Sequence, residues 1–187
     1  MNFMKRIGVL VGSLRKESFS RKVAKTLMAL APADFQMEEV EIDGLVIFNQ
    51  DFDDEGRTPA QWTDFREGLK KFDAVLFVTP EYNRSVPAVL KNALDIGSRP
   101  YGKNVWDGKP GAVVSVTPGA LGAFGANHHL RQTLAFLNVP TMPQPEAYIA
   151  NSANLFGDDG ALTDVGTREF LQKFMDAFAI WVGKNAK

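Results

Sequence analysis

The sequence predicts an open α/β fold, a five-stranded parallel sheet wound in both directions with helices on its two faces. Three observations predict it. Residues 7–11, 74–78 and 112–116 are continuously apolar and β-rich rather than alternating, which marks strands buried on both faces. Each run ends in a tight turn: Gly12-Ser13, Thr79-Pro80 and Thr117-Pro118-Gly119. Each turn leads into a helical pattern, and repeated βα units pack as parallel strands.

The elements follow in order. After the first strand, Ser20 precedes a helix over 21–30, with Val23, Ala24, Leu27 and Leu30 on one face. Residues 37–42 alternate and read as an edge strand. Thr58-Pro59-Ala60-Gln61 reads as a capping box with proline at the first helical position, followed by Trp62, Phe65, Leu69 and Phe72 at helical spacing. Ser85 is placed to cap the next helix, over about 85–97. That helix holds Val86, Val89, Leu90, Ala93, Leu94 and Ile96, more apolar surface than one sheet face absorbs, which points to a homodimer interface. The fourth helix is expected from about 122–126 to 138, and a short strand over 147–149. Thr163 is placed to cap the last helix, where Phe170, Leu171, Phe174, Phe178, Trp181 and Val182 form a core-facing stripe.

Length and composition narrow the function. At 187 residues the chain suits a single domain, 1–187, with a substantial core. A hydrophobic share of 45% and a net charge of −1 describe an ordinary globular surface, not the basic face of a nucleic-acid binder. There is no cysteine, which excludes disulfides, thiolate nucleophiles and cysteine-ligated metal clusters, so a redox role needs a bound cofactor. The apolar run after Lys5-Arg6 is too short for a signal peptide, and no stretch approaches the ~20 apolar residues of a membrane span. The expected setting is the cytoplasm, without membrane or nucleic-acid partners.

The three turns carry the candidate chemistry, because a parallel sheet places them on one edge, where open α/β folds bind ligands. Gly12-Ser13-Leu14-Arg15-Lys16-Glu17-Ser18-Phe19-Ser20 offers hydroxyls, an arginine and a helix N-terminus to a phosphate. It is neither G-x-G-x-x-G nor a P-loop. Pro80-Glu81-Tyr82-Asn83-Arg84-Ser85-Val86-Pro87 offers an aromatic face and amides that suit a flat, polar-edged ring such as a flavin. Thr117-Pro118-Gly119-Ala120-Leu121-Gly122 lets backbone approach the same ligand.

Other features lead away from chemistry. Asp51-Phe52-Asp53-Asp54-Glu55-Gly56 begins like a calcium loop, but its twelfth position is Trp62, so it reads as a solvated acidic loop. His128 and His129 are adjacent and point about 100° apart on a helix, so they cannot chelate as a pair. Glu81 has no carboxylate or histidine partner in sequence and receives no catalytic role. No Gly-x-Ser-x-Gly elbow is present.

Taken together, the first loop, the Pro-Glu-Tyr-Asn loop with its Ser85-Val86-Pro87, Leu90-Lys91-Asn92-Ala93-Leu94-Asp95 and the third loop resemble the NAD(P)H-dependent FMN reductase family, in its bacterial quinone and chromate reductase branch. The resemblance covers roughly residues 6–149. It implies a flavodoxin-like fold, noncovalent FMN, NAD(P)H as co-substrate, and a homodimer or homotetramer. It places the FMN phosphate at Ser13, Arg15 and Ser20, with Ser18 and Phe19 beside them. It places the isoalloxazine at Pro80, Glu81, Tyr82, Asn83 and Ser85, with Ser115, Thr117, Gly119 and Gly122 completing the site. The implied reaction passes hydride through the flavin to quinones, chromate, azo dyes or free flavin, and needs no catalytic acid–base pair. A flavodoxin-type carrier without NAD(P)H turnover is the alternative. Gly125 and His128 stand where some relatives carry an arginine and a tyrosine for contacts between subunits, which weighs against a tetramer built on those contacts.

Overall fold

The computed structural model describes residues 4–186; Met1, Asn2, Phe3 and Lys187, which the single-domain reading also covers, lie outside the described residues. The elements run β1 (Lys5–Val11), α1 (Phe19–Ala29), β2 (Phe35–Glu39), α2 (Asp51–Asp54), α3 (Ala60–Lys70), β3 (Ala74–Thr79), α4 (Ala88–Gly97), β4 (Gly111–Val116), α5 (Phe124–Phe136), β5 (Ala147–Ile149), a short 3-10 turn (Ser152–Asn154) and α6 (Val165–Asn185). All strand pairs are parallel, in the order β2-β1-β3-β4-β5. That is the flavodoxin-like order, with its switch point between β1 and β3.

The two-residue period of a strand explains the continuous apolar runs. Ile7, Val9, Val11, Leu76, Val78, Ala112 and Val114 face α1 and α6, where Val23, Leu27, Phe174 and Phe178 meet them. The intervening Leu10, Val75, Phe77 and Val113 face α3, α4 and α5, against Trp62, Phe65, Leu94, Trp106 and Leu130. The α6 stripe is core, as its spacing predicts.

The strands lie close to their expected places, whereas several helix starts do not. Ser18, not Ser20, caps α1, accepting from the Arg21 N–H at 3.2 Å. Asp164, not Thr163, caps α6 through the Thr167 N–H at 2.6 Å, while Thr163 donates to the Leu155 carbonyl. The capping box at Thr58 does not form: α3 starts behind Pro59, and Thr58 Oγ1 donates to Asp53 Oδ1 at 2.8 Å. Ser85 does not cap α4, which starts behind Pro87. The edge strand sits earlier than 37–42, because pairing with β1 begins at Phe35.

Two further expectations change. The 51–56 segment is not a solvated loop throughout. Asp53 makes a bidentate ion pair with Arg66 at 2.9 and 2.6 Å, with both side chains nearly buried, and Arg66 Nε also donates to the Ile96 carbonyl. The Arg66 hydrogen bond holds the Asp53 carboxyl below its ordinary pKa despite burial. The apolar surplus on α4 is also absorbed at home. Leu90, Ala93, Leu94 and Ile96 are buried within the subunit, and only Val86 and Val89 stay half-buried. Trp106 fills the space beside α4 so closely that a Cβ on Gly97 would lie 2.5 Å from its Nε1.

Candidate functional site

The three turns open side by side because the central strands are in register. Val11 pairs with Val78, and Thr79 with Ser115. Gly12 continues β1 by donating to the Val78 carbonyl at 2.9 Å, and a Cβ there would press on Thr79 and Pro80 at 3.0–3.2 Å. Between the turns lies a cleft of about 250 Å³.

The first turn lines one end with Ser13, Arg15, Ser18, Phe19 and Ser20. The three serines are nearly buried with their backbone, while Arg15 stays exposed. Behind them α1 begins with no acidic residue in its first turn. Its first N–H groups have no intrahelical acceptor, so this end of the cleft favours an anion. Arg21 steadies the turn from behind, reaching the carbonyls of Ser13 at 3.4 Å and Arg15 at 3.5 Å while pairing with Glu39 at 3.0 Å. Nothing in the sequence separates Arg21 from an ordinary solvated helix residue.

The second turn is a two-residue hairpin. Tyr82 and Ser85 exchange both backbone hydrogen bonds at 3.0 Å, and Asn83 and Arg84 between them have φ of 50° and 66°. Positive φ at both central positions is the type I′ signature that favours Asn and Gly. Asn83 suits it; Arg84 carries a Cβ strain of roughly 1–2 kcal/mol. Pro80, Glu81 and Tyr82 line the cleft, and Tyr82 is 47% exposed, so its ring is available to a ligand. Asn83 and Ser85 do not reach the cleft. Asn83 is at the hairpin tip, and Ser85 Oγ lies 3.0 Å from His129 Nδ1.

The third turn contributes Val116, Thr117 and Pro118. Ser115, Gly119 and Gly122 do not line the cleft. Ser115 is fully buried: its hydroxyl donates to the Gly122 carbonyl at 2.7 Å and accepts from Asn127 Nδ2 at 3.1 Å. Gly119 is tied to Asn151, whose N–H donates to its carbonyl. Gly122 has φ of 60° and packs so tightly on β5 that a Cβ would lie 2.6 Å from Tyr148 Cβ and 2.8 Å from its carbonyl carbon. Ser115 and Gly122 hold the turn's shape from beneath, while Gly119 stays exposed. Val116 and Pro118 also line the cleft, Pro118 within the Thr117-Pro118-Gly119 signal and Val116 just before it.

Burial and the Glu146 carboxylate beside it push the Tyr148 hydroxyl above its ordinary pKa. That hydroxyl lies 3.0 Å from His128 Nε2, so the two adjacent histidines have separate partners, Tyr148 and Ser85. Among the described residues no group of three His, Cys, Asp or Glu side chains could hold a metal ion.

The donor set fits FMN. Buried hydroxyls, an arginine and a helix N-terminus suit a phosphate at one end, and an exposed tyrosine beside prolines suits a flat ring at the other. A larger cleft of about 420 Å³ at the β2 edge carries Glu38, Glu39, Glu41, Asp43 and Asp64, and would repel a phosphate.

The chain matches the family model described as NADPH-dependent FMN reductase over residues 5–154. It is 57% identical to a protein of Pseudomonas putida named quinone reductase, over 179 residues that cover 96% of this chain and 95% of that one. It is 45% identical to a 2-hydroxy-1,4-benzoquinone reductase of a Burkholderia species, covering 95% and 96% of the two chains. Among solved structures it superposes on the flavoenzyme NAD(P)H:(acceptor) oxidoreductase FerB of Paracoccus denitrificans. The TM-score is 0.91 at 40% identity, covering 98% of this chain and 100% of that one.

Proposed function

The chain belongs to the NADPH-dependent FMN reductase family, and from that premise we propose how its three turns serve the reaction. It is an FMN-dependent NAD(P)H oxidoreductase acting on quinone-like acceptors. Bound FMN supplies the chemistry, a two-electron transfer in which a quinone, NAD(P)H and a proton become a hydroquinone and NAD(P)⁺.

The protein binds and orients. Ser13, Ser18 and Ser20, the first amides of α1 and Arg15 hold the phosphate, with Arg21 fixing the carbonyls behind them. Pro80, Glu81 and Tyr82 would form one wall for the ring, and Thr117 and Pro118 the other. Ser115, Asn127 and Gly122 keep the third turn in shape. The observation that carries this reading is the convergence of all three turns on one cleft at the sheet's switch point.

The cleft is smaller than the roughly 300–1,000 Å³ that encloses a whole ligand of this size, so a ring held there would be left accessible to an acceptor. That openness supports breadth toward chromate, azo dyes and free flavin beside quinones. It also supports a homodimer in which a second subunit borders the ring. Gly125 and His128, standing where some relatives carry an arginine and a tyrosine for contacts between subunits, favour a dimer over a tetramer built on those contacts. One domain working in the cytoplasm accords with this reading, and no helix among the described residues is long and apolar enough to cross a membrane.

The test is spectroscopic. Purified protein, or apoprotein supplied with FMN, should be yellow, should bleach on NADPH or NADH without oxygen, and should recover its colour with a small quinone. Bound flavin that neither nicotinamide bleaches would leave the flavodoxin-type carrier as the better reading.

A further inference from the structure

Helix α5 begins without a local cap. Its N-cap residue, Ala123, has φ of 59° and no side chain able to accept a hydrogen bond. The acceptor comes instead from 45 residues earlier: Glu81 Oε2 takes the Ala126 N–H at 3.0 Å. The Glu81 side chain is only 13% exposed, and its other oxygen lies 3.4 Å from Arg84 Nη1.

Two further contacts lie along the same face of α5. Gly125 touches the hairpin so closely that a Cβ would sit 2.8 Å from the Arg84 carbonyl oxygen and 2.9 Å from Glu81 Oε2. One turn later, His129 Nδ1 meets Ser85 Oγ at 3.0 Å. Residues i and i+4 share a helix face, so the hairpin is laid along α5. Its Arg84 stays in a left-handed conformation that non-glycine residues adopt only when their surroundings impose it.

The geometry points to Glu81 as a positioning residue for the flavin ring, acting through the backbone of the hairpin rather than on the cofactor. Its carboxylate docks the Pro80-Glu81-Tyr82 wall onto the first turn of α5, whose start also ends the third turn, so one side chain sets the spacing of both ring walls. This rests on the reading of the cleft as an FMN site. It explains why a carboxylate stands in the ring-lining turn with no acid–base partner.

Flavin affinity separates this role from others, measured by fluorescence quenching on apoprotein of the full chain with FMN and with riboflavin in parallel. Glu81→Ala should weaken both flavins about tenfold, equivalent to ~1.4 kcal/mol, because the ring wall is common to both. Glu81→Gln keeps an oxygen for the Ala126 N–H and should stay within about threefold of wild type. Gly125→Ala, which leaves the carboxylate but forces the hairpin away, should match Glu81→Ala; if Glu81→Ala does not fold, this arm decides. Arg15→Ala should weaken FMN alone. Wild-type binding of both flavins in Glu81→Ala and Gly125→Ala overturns the positioning role and leaves the functional reading standing. A loss confined to FMN, or no rescue by glutamine, also overturns it. A wild-type chain that takes up neither flavin sinks the functional reading and this inference with it.

Discussion

The two ends of the cleft are built in opposite ways. At the proposed phosphate end, Ser18 caps α1 from three residues away, and the hydroxyls, arginine and helix N-terminus all come from one continuous stretch. At the proposed ring end, α5 has no cap of its own, and the walls come from two turns joined by Glu81 and Gly125 across long sequence separations, with Ser115 bracing the third turn locally. A phosphate is a small, symmetric anion that a helix N-terminus and a few hydroxyls satisfy locally. A flat ring needs two surfaces at a defined spacing, and only tertiary packing sets that spacing. The local end should therefore fail selectively when altered, and the assembled end should fail as a unit.

The strongest way to break this comparison is at the floor of the ring end. Gly122→Val meets both a left-handed backbone and Tyr148, whose Cβ lies at 2.6 Å and whose main chain lies at 2.8–2.9 Å. Strain and overpacking together should cost roughly 2–5 kcal/mol of stability, a large part of the ~5–15 kcal/mol typical of a domain. A thermal melt should show the loss in apoprotein, and flavin uptake should fall for FMN and riboflavin alike. An unchanged melt would mean that the third turn is not held by this contact.

At the other end, Arg15→Ala should leave the melt unchanged, since the side chain is exposed. A charge-assisted hydrogen bond to phosphate contributes about 1.5–3 kcal/mol, so FMN should bind ~10–150-fold more weakly while riboflavin is unaffected. Equal losses for the two flavins would dissolve the distinction between the ends.

The smallest expected effect is in pH. The Tyr148 hydroxyl under the third turn is raised above its ordinary 10.0, chiefly by burial and then by Glu146. The folded state thus holds this proton more tightly than the unfolded chain. Its contribution is intact below about pH 10 and is lost as pH rises through the folded value. Tyr148→Phe should accordingly show a shallower fall in stability than wild type above pH 10, read by denaturant titration at several pH values. Parallel profiles would remove the hydroxyl from the energetics of that end.

The same contrast governs what could be read in the chain. The buried strands were legible because a parallel sheet requires apolar side chains at every position, a pattern few other structures share. The first turn was legible as one lining group, Ser13, Arg15, Ser18, Phe19 and Ser20 together, because these residues are contiguous. Even there the helix starts two residues before the expected 21, since Ser18 and Ser20 are alike in composition and only the path of the backbone chooses which one caps it. The ring end was half legible. Pro80, Tyr82 and Thr117 face the cleft, but Ser115 and Gly122 turn inward to hold the third turn, and Ser85 turns to α5. Asp53 looked solvated until Arg66, from the helix beyond, reached it.

The sequence by itself determined the parallel sheet, the order of its βα units and the edge where the three turns converge, because strand burial and turn chemistry are written in neighbouring residues. Tertiary structure alone decided which polar groups face the cleft and which face the protein. A serine, a glutamate or a glycine in a turn has several possible partners, and the choice falls to whichever element packs beside it. Glu81 caps a helix that starts 43 residues downstream of it in the chain and beside it in space.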